Sequence, residues 1–196
     1  FFDCFPVRQF FKKNRTWYEK MIEIKYNESS IRFKDIIVNN KKILKQLNQY
    51  KNSEVLEISN SRDNYFDKIC KHLLKFGGMI IAIDYGYRNP PGHFTLQSVY
   101  NNKKSNLLDN IGKQDISSLV DFNKLIDLGK KNNLKIKHFS SQREFLLNNG
   151  IKEREEKILK VANNKQRILI QKGVKRITDK RDMGNLFKVL VLSKWN

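Results

Sequence analysis

Apolar and polar positions along the chain change period several times, and each change marks an element. Residues Glu19 to Tyr26 and Ile31 to Phe33 flank the turn-forming Asn27-Glu28-Ser29-Ser30, the pattern of a β-hairpin. Val55-Leu56-Glu57-Ile58-Ser59 is a short strand-like run. Ser59 to Ser61 then offer capping side chains to a helix that places Phe66, Ile69, Cys70 and Leu73 on one face at i, i+3, i+4 and i+7. Gly77 stops that helix, because a left-handed residue costs glycine nothing. Met79 to Ile83 is an unbroken apolar run, which predicts a strand covered on both faces. Strand, helix and buried strand together predict a parallel unit with a right-handed crossover, hence an α/β protein.

Further on, Phe94 to Tyr100 reads as a strand. Asp121 can cap a helix carrying Phe122, Leu125 and Ile126 inward, which Asn132-Asn133 ends. Leu134 to Phe139 alternates like a strand. Ser141 and Glu144 have capping-box spacing ahead of Phe145-Leu146-Leu147, with Asn149-Gly150 as the stop. Ile151 to about Gln171 is a charged amphipathic helical stretch, and Leu186 to Leu192 is a closing strand. No repeat or proline-rich linker interrupts the order, so residues 1–196 read as a single domain.

Charge changes the picture less than its size suggests. Lys and Arg number 39 against 20 Asp and Glu, a formal net charge of +19, which raises nucleic acid as a partner. The lysines are scattered, however, and no aromatic-studded basic strand or recognition helix accompanies them, so nucleic acid is the weaker reading. No apolar run approaches the roughly 20 residues a membrane-spanning helix needs. Two cysteines, Cys4 and Cys70, both in apolar sequence, build no disulfide framework and suit a reducing, cytoplasmic compartment. His72, His93 and His138 have no metal-ligand spacing with the cysteines or with one another. Neither a phosphate-binding loop nor a nucleophile elbow is present.

Candidate chemistry gathers where the buried run stops. Ligands of open α/β sheets bind at the carboxyl ends of strands, and Asp84 and Tyr85 would stand at such an end with Gly86 turning the backbone. The plainer alternative is an acid that caps a loop and a phenol that packs on the sheet rim.

Ordered motifs add what composition cannot. After FFDCFPVRQF at the start come GGMIIAIDYGY (Gly77 to Tyr87), TLQSV (Thr95 to Val99) and GKQDISSLVDF (Gly112 to Phe122). SSQREFLLNNGIKER (Ser140 to Arg154) and MGNLFKVLVLS (Met183 to Ser193) follow. The set spans nearly the whole chain and resembles the MidA family, relatives of the complex I assembly factor that methylates protein arginine. The resemblance implies the C-terminal half of a class I, Rossmann-like S-adenosylmethionine-dependent methyltransferase sheet with a reversed last strand, plus a β-hairpin insertion. It implies S-adenosylmethionine as cofactor and a protein substrate, such as a respiratory complex I subunit. It also implies a mitochondrial location for eukaryotic relatives.

An arginine acceptor is a poor nucleophile because its guanidinium stays protonated; carboxylates can pair with it, fix its plane and help localise a lone pair. On the resemblance, Asp3, Asp84, Tyr85 and Glu57 are the catalytic candidates, each with a loop-cap or ion-pair alternative. Arg8, Gln9, Asp115 and Gln142 are candidates for substrate contact, with structural roles equally open. Asp121 reads as a helix cap. The sequence contains no Gly-x-Gly. The family carries its Gly-rich donor loop upstream of the opening motif, so the cofactor-binding portion is expected to be absent from 1–196. Such a fragment would be inactive alone unless a separately encoded half docks. Asn102, Lys104, Asn106-Leu107 and Ile111 depart from the family pattern in the loop after Val99. The alternative function is a basic nucleic-acid-binding or non-catalytic interaction protein.

Overall fold

The computed structural model describes residues 1–25, 30–50 and 52–195. The chain divides into two compact units, Phe1–Asn64 with Asn89–Leu119, and Tyr65–Arg88 with Val120–Asn196.

In the first unit, β1 (Arg8–Lys13), β2 (Thr16–Lys25), β3 (Ser30–Ile37) and β4 (Val55–Ile58) form an antiparallel sheet in the order β3-β2-β1-β4. Of the expected turn at Asn27–Ser30, only Ser30 lies among the described residues. β1 and β2 are joined through Asn14 and Arg15 at φ 50° and 64°, the left-handed pair that a tight hairpin between twisted strands requires. Phe10, Trp17, Leu56 and Ile58 point from this sheet onto Val38 and Leu47, the latter at the end of α1 (Lys41–Leu47). Asn40 caps α1 by accepting from the Lys42 and Ile43 amides.

A smaller sheet in this unit, β7-β6-β8, joins β6 (Gln97–Tyr100), β7 (Lys103–Ser105) and β8 (Asp115–Ser117). Asn101 and Asn102, at φ 49° and 61°, close the β6–β7 hairpin, which gives the departure at Asn102 a backbone reason. The expected strand from Phe94 begins only at Gln97, because the Thr95 and Leu96 amides are spent on the Glu57 carboxylate.

The second unit holds most of α2 (Asn60–Phe76), then β5 (Met79–Tyr87), β9 (Val120–Asp121), α3 (Phe122–Lys131) and β10 (Lys135–Ser141). α4 (Gln142–Asn148), α5 (Ile151–Val161), α6 (Asn164–Thr178), α7 (Met183–Leu186) and β11 (Phe187–Ser193) complete it. Its sheet runs β10-β11-β5-β9, antiparallel except for a parallel β5–β9 contact at Gly86 and Tyr87. Phe66, Cys70 and Leu73 are buried on the inner face of α2, and Gly77 follows at φ 80°. Asp121 Oδ1 accepts from the Lys124 amide at 3.0 Å, and the Ser141–Glu144 capping box forms.

Three expectations change. The strand at Val55 is not the parallel partner of β5. It pairs antiparallel with β1, with Gln9 opposite Glu57 and Phe10 opposite Leu56, because Leu56 and Ile58 belong to the first unit's core. The single helical stretch from Ile151 is two helices. Asn163 breaks it by capping α6, accepting from the Gln166 amide at 3.0 Å while Gln166 Oε1 accepts from the Asn163 amide. Finally, β5 is not covered on both faces: Met79, Ile81 and Ile83 are 53 %, 54 % and 47 % exposed.

Candidate functional site

Glu57 is a heavily bonded member of the predicted site residues. It sits on β4, 7 % exposed, and its Oε1 accepts from Gln9 Nε2 at 2.7 Å and from the Thr95 and Leu96 amides, each at 3.0 Å. Its Oε2 accepts from the Thr95 hydroxyl, which in turn accepts from the Leu119 amide at 2.9 Å. One carboxylate thus pins the segment before β6 to the edge of the first sheet, and Gln9 is a member of the same cluster rather than an open contact. Thr95 carries no signal of its own in the sequence beyond its place in the TLQSV block, yet it completes the clamp.

Arg8, next in line on β1, faces the other way. Its Nε and Nη2 each donate to Glu19 at 2.6 Å in a fork, and that bond raises the guanidinium pKa. Asp3 is buried in the opening turn, where Oδ1 accepts from the Phe1 amine at 2.8 Å and lies 3.4 Å from the Cys4 thiol. Its carbonyl accepts from the Ser118 amide at 2.9 Å, tying this turn to the end of β8. Asp115, at the start of β8, is exposed. Cys4 is exposed as well, against the apolar setting its neighbours suggested.

The first turn of α2 holds a residue the sequence did not flag. Arg62 is 2 % exposed, and its Nε and Nη1 make no hydrogen bond among the described residues; Asp63 Oδ1 is 3.9 Å from Nε. Its amide donates to Ser59 Oγ at 3.3 Å, and Ser59 Oγ donates to the Pro6 carbonyl at 2.7 Å. An arginine at the start of a helix looks like solvated charge in a sequence; only tertiary packing buries it.

In the second unit, Asp84 and Tyr85 fall within β5, not beyond it, because the strand continues to Tyr87 by pairing with β9. Successive strand residues face opposite sides, so the acid and the phenol do not share a face. Asp84 is 3 % exposed and its Oδ1 accepts from the Tyr85 amide at 2.9 Å. Tyr85 is half-buried, its ring 4.1 Å from that of Phe187 across the β5–β11 pair. Gly86 does not turn the backbone. It admits a close approach, since a Cβ there would lie 2.5 Å from both the Phe122 ring and the Val120 carbonyl. Gln142 heads α4 and donates from Nε2 to the Ile177 carbonyl at 2.9 Å, which fastens α4 to the end of α6.

Beside Asp84 on β11, Lys188 is held below the usual lysine pKa by burial, with Glu144 opposing. Glu144 itself is lowered by the Ser141 amide and hydroxyl it accepts from in the capping box. Among the described residues no group of His, Cys, Asp and Glu could hold a metal, and no helix is long and apolar enough to cross a membrane.

The profile of the family described as "Putative S-adenosyl-L-methionine-dependent methyltransferase" matches residues 1–140. The chain belongs to this methyltransferase family. The kinship read from the ordered motifs is thereby borne out. One curated relative, the mitochondrial protein arginine methyltransferase NDUFAF7 homologue of Caenorhabditis elegans, is 26 % identical over 169 residues, covering 85 % of this chain and 39 % of its own. Two solved structures, both from Burkholderia thailandensis and of one superfamily, share the fold. The first, an uncharacterised protein, has TM-score 0.85 at 22 % identity over 98 % of this chain and 53 % of its own. The second, bound to S-adenosyl-homocysteine, has TM-score 0.83 at 23 % identity over 98 % and 51 %. The chain therefore spans about half the length of these solved relatives, and less of the curated one.

A methyl donor of this class needs backbone that approaches its carboxylate and ribose closely. The residues present do not supply that for the whole donor. The backbone approaches permitted by Gly77, Gly78 and Gly86 are already filled, by Trp195, Leu73 and the Phe122 ring respectively. Gly92 and Gly112 face open space in loops that open no helix.

Proposed function

We propose that this chain carries the acceptor-binding side of an S-adenosylmethionine-dependent methyltransferase whose substrate is an arginine of a protein. The donor-gripping strands and Gly-rich loop lie outside residues 1–196. The observation that carries the reading is the state of β5. Its edge opposite β11 has no strand partner from Met79 to Ile83 among the described residues. One of its faces presents Met79, Ile81 and Ile83 to solvent, while the next strand on the same face buries Val189 and Val191. An apolar stripe that runs out at an unpaired edge is the profile of a sheet that continues, and burying it is worth roughly 1.5–3 kcal/mol per fully covered side chain. A further strand at this edge, with a helix over the stripe, completes the half-Rossmann arrangement and sets a donor beside Asp84.

In that arrangement Asp84 is the carboxylate offered to the acceptor guanidinium, while Tyr85, on the opposite face of β5, packs on Phe187. Within the first unit Glu57 and Gln9 clamp the segment before β6, and Arg8 and Asp115 lie outward; within the second, Gln142 fastens α4 to the end of α6. Transfer from a sulfonium is an in-line displacement, so the protein's main task is to align nitrogen and methyl carbon. The likeness to a protein arginine methyltransferase of Caenorhabditis elegans supports arginine as acceptor; on the family resemblance, the acceptor protein is a respiratory complex I subunit.

Calorimetry separates the two halves of the proposal. Residues 1–196 are expected to bind no S-adenosylmethionine up to about 1 mM, yet to bind an arginine peptide more tightly than its lysine counterpart. Submillimolar donor binding by 1–196 refutes the placement of the donor site, and equal affinity for the two peptides refutes the acceptor assignment.

A further inference from the structure

The helical pair α5–α6 carries a surface that the methyl-transfer reading does not use. Both helices leave apolar side chains in solvent where they meet: Val161 is 86 % exposed, Leu169 69 % and Ile158 37 %. Together with Ala162, Gln166 and Ile170 they line a groove of about 390 Å³. A second depression of about 380 Å³ follows along α6, where Lys172, Lys175 and Arg176 come together with Arg181. Leu169, Lys172 and Arg176 stand at i, i+3 and i+7, on one stripe of the helix. At 1.5 Å per residue the apolar and basic centres are separated by about 10 Å, two helical turns.

We propose that this stripe docks an amphipathic helix of a partner protein, with apolar anchors in the α5–α6 groove and acidic residues two turns further on against Lys172 and Arg176. The occupant follows from charge and shape. α6 has five cations (Lys165, Arg167, Lys172, Lys175 and Arg176) and no acid, so an acidic segment complements it. A second copy of a chain with net charge +19 would bring cations against cations. A bilayer is flat, whereas the apolar residues line a recess between two helices, the shape that takes helix anchors at i, i+3/i+4 and i+7. Asp179 and Asp182 line the same depression and limit how far an acidic partner can extend past Arg176.

The test uses residues 1–196 and a labelled helical peptide with leucines at i, i+4 and i+7 and glutamates two turns beyond on the same stripe. A control of the same composition carries the glutamates on the opposite face. Fluorescence anisotropy at physiological salt is expected to give a dissociation constant on the order of 10 µM for the probe and at least about tenfold weaker binding for the control. Leu169→Glu and the pair Lys172→Glu with Arg176→Glu should each weaken the probe about tenfold or more, while Lys103→Glu, on exposed β7, should leave it within about twofold. All these positions are exposed, so folding is expected to persist, and circular dichroism checks it. Equal binding of probe and control, indifference to Leu169→Glu, or Leu169-dependent binding to vesicles with about one-third anionic lipid in place of the peptide would overturn the proposal.

Discussion

Removal of the Glu57 side chain tests whether this residue is a clamp or a catalytic base. In Glu57→Ala the Gln9 amide, the Thr95 and Leu96 amides and the Thr95 hydroxyl all lose their acceptor at a site only 7 % exposed. A hydrogen bond to a charged group contributes roughly 1.5–3 kcal/mol, and an unsatisfied buried donor costs about as much again. Bonds to one carboxylate are not additive, and the Thr95 segment can swing into water, so the net loss is about 4 kcal/mol. For a chain of this length that is roughly 8–16 °C in Tm. Glu57→Gln keeps one acceptor oxygen for the three N–H donors, and its new amide can donate to the Thr95 oxygen, so about 1–2 kcal/mol is expected. Urea unfolding followed by circular dichroism measures both. A loss below about 1 kcal/mol in Glu57→Ala would show that the cluster does not hold the segment, and Glu57 would return to the catalytic candidates.

Gly86→Ala should cost about 3 kcal/mol or more, because the new methyl meets the Val120 carbonyl as well as the Phe122 ring; unfolding at the wild-type midpoint would contradict the packing described. The double variant Arg62→Met with Asp63→Asn should leave stability unchanged or raise it by about 1–3 kcal/mol, since it removes a buried guanidinium, two of whose nitrogens make no hydrogen bond among the described residues, together with the acid 3.9 Å from it; a marked loss would mean that the charges are compensated in the fold. Burial pushes the Cys70 thiol up to about 12 from an ordinary value of 9.0. The native state therefore keeps a proton that the unfolded chain gives up, so stability from this group is full below pH 9 and lost as pH rises towards 12, by about 4 kcal/mol at most. Cys70→Ala should flatten that alkaline slope, and a thiol reagent at neutral pH should label exposed Cys4 but not Cys70 in the folded chain; rapid labelling of both would contradict the burial. Ile81→Lys, at a half-exposed position, should cost less than about 1 kcal/mol in 1–196 yet suppress concentration-dependent association in light scattering; equal scattering would show that the strand face is not adhesive.

What the sequence revealed about the fold depended on whether the signal was local. Helix limits set by one side chain on a nearby amide were legible: Asp121 on Lys124, Ser141 with Glu144, Gly77 and Gly150 in left-handed geometry. The α5–α6 break was equally local, an Asn163–Gln166 box, but the charged periodicity on either side of it masked the cap. Strand partners were not legible. β4 and β5 each read as strands, yet nothing within either segment states that β4 completes a sheet with β1 while β5 pairs with β11, some hundred residues further along. The choice is made by shape: Leu56 and Ile58 complete the Phe10–Trp17 core, and Ala82 packs with the buried Leu190–Leu192 side of β11.

The candidate site was legible in part for a related reason. A buried carboxylate at the end of an apolar run is visible as Asp84 because the contrast with Met79 to Ile83 is local. Whether an acid is reactive or structural depends on what reaches it, and Glu57 shows how that is decided: four donors from β1 and the segment before β6 converge on it. The same apolar run carries the last step. Residues 79, 81 and 83 are as apolar as residues 80 and 82, which is the pattern of a strand buried on both faces, and yet they stand about half exposed. A strand on the outer rim of a finished sheet is usually blunted by charge, proline or a bulge, and β5 has none of these from Met79 to Ile83. The composition of β5 is that of an interior strand, so its half-exposed stripe beside the buried Asp84 is the feature that composition alone would not predict.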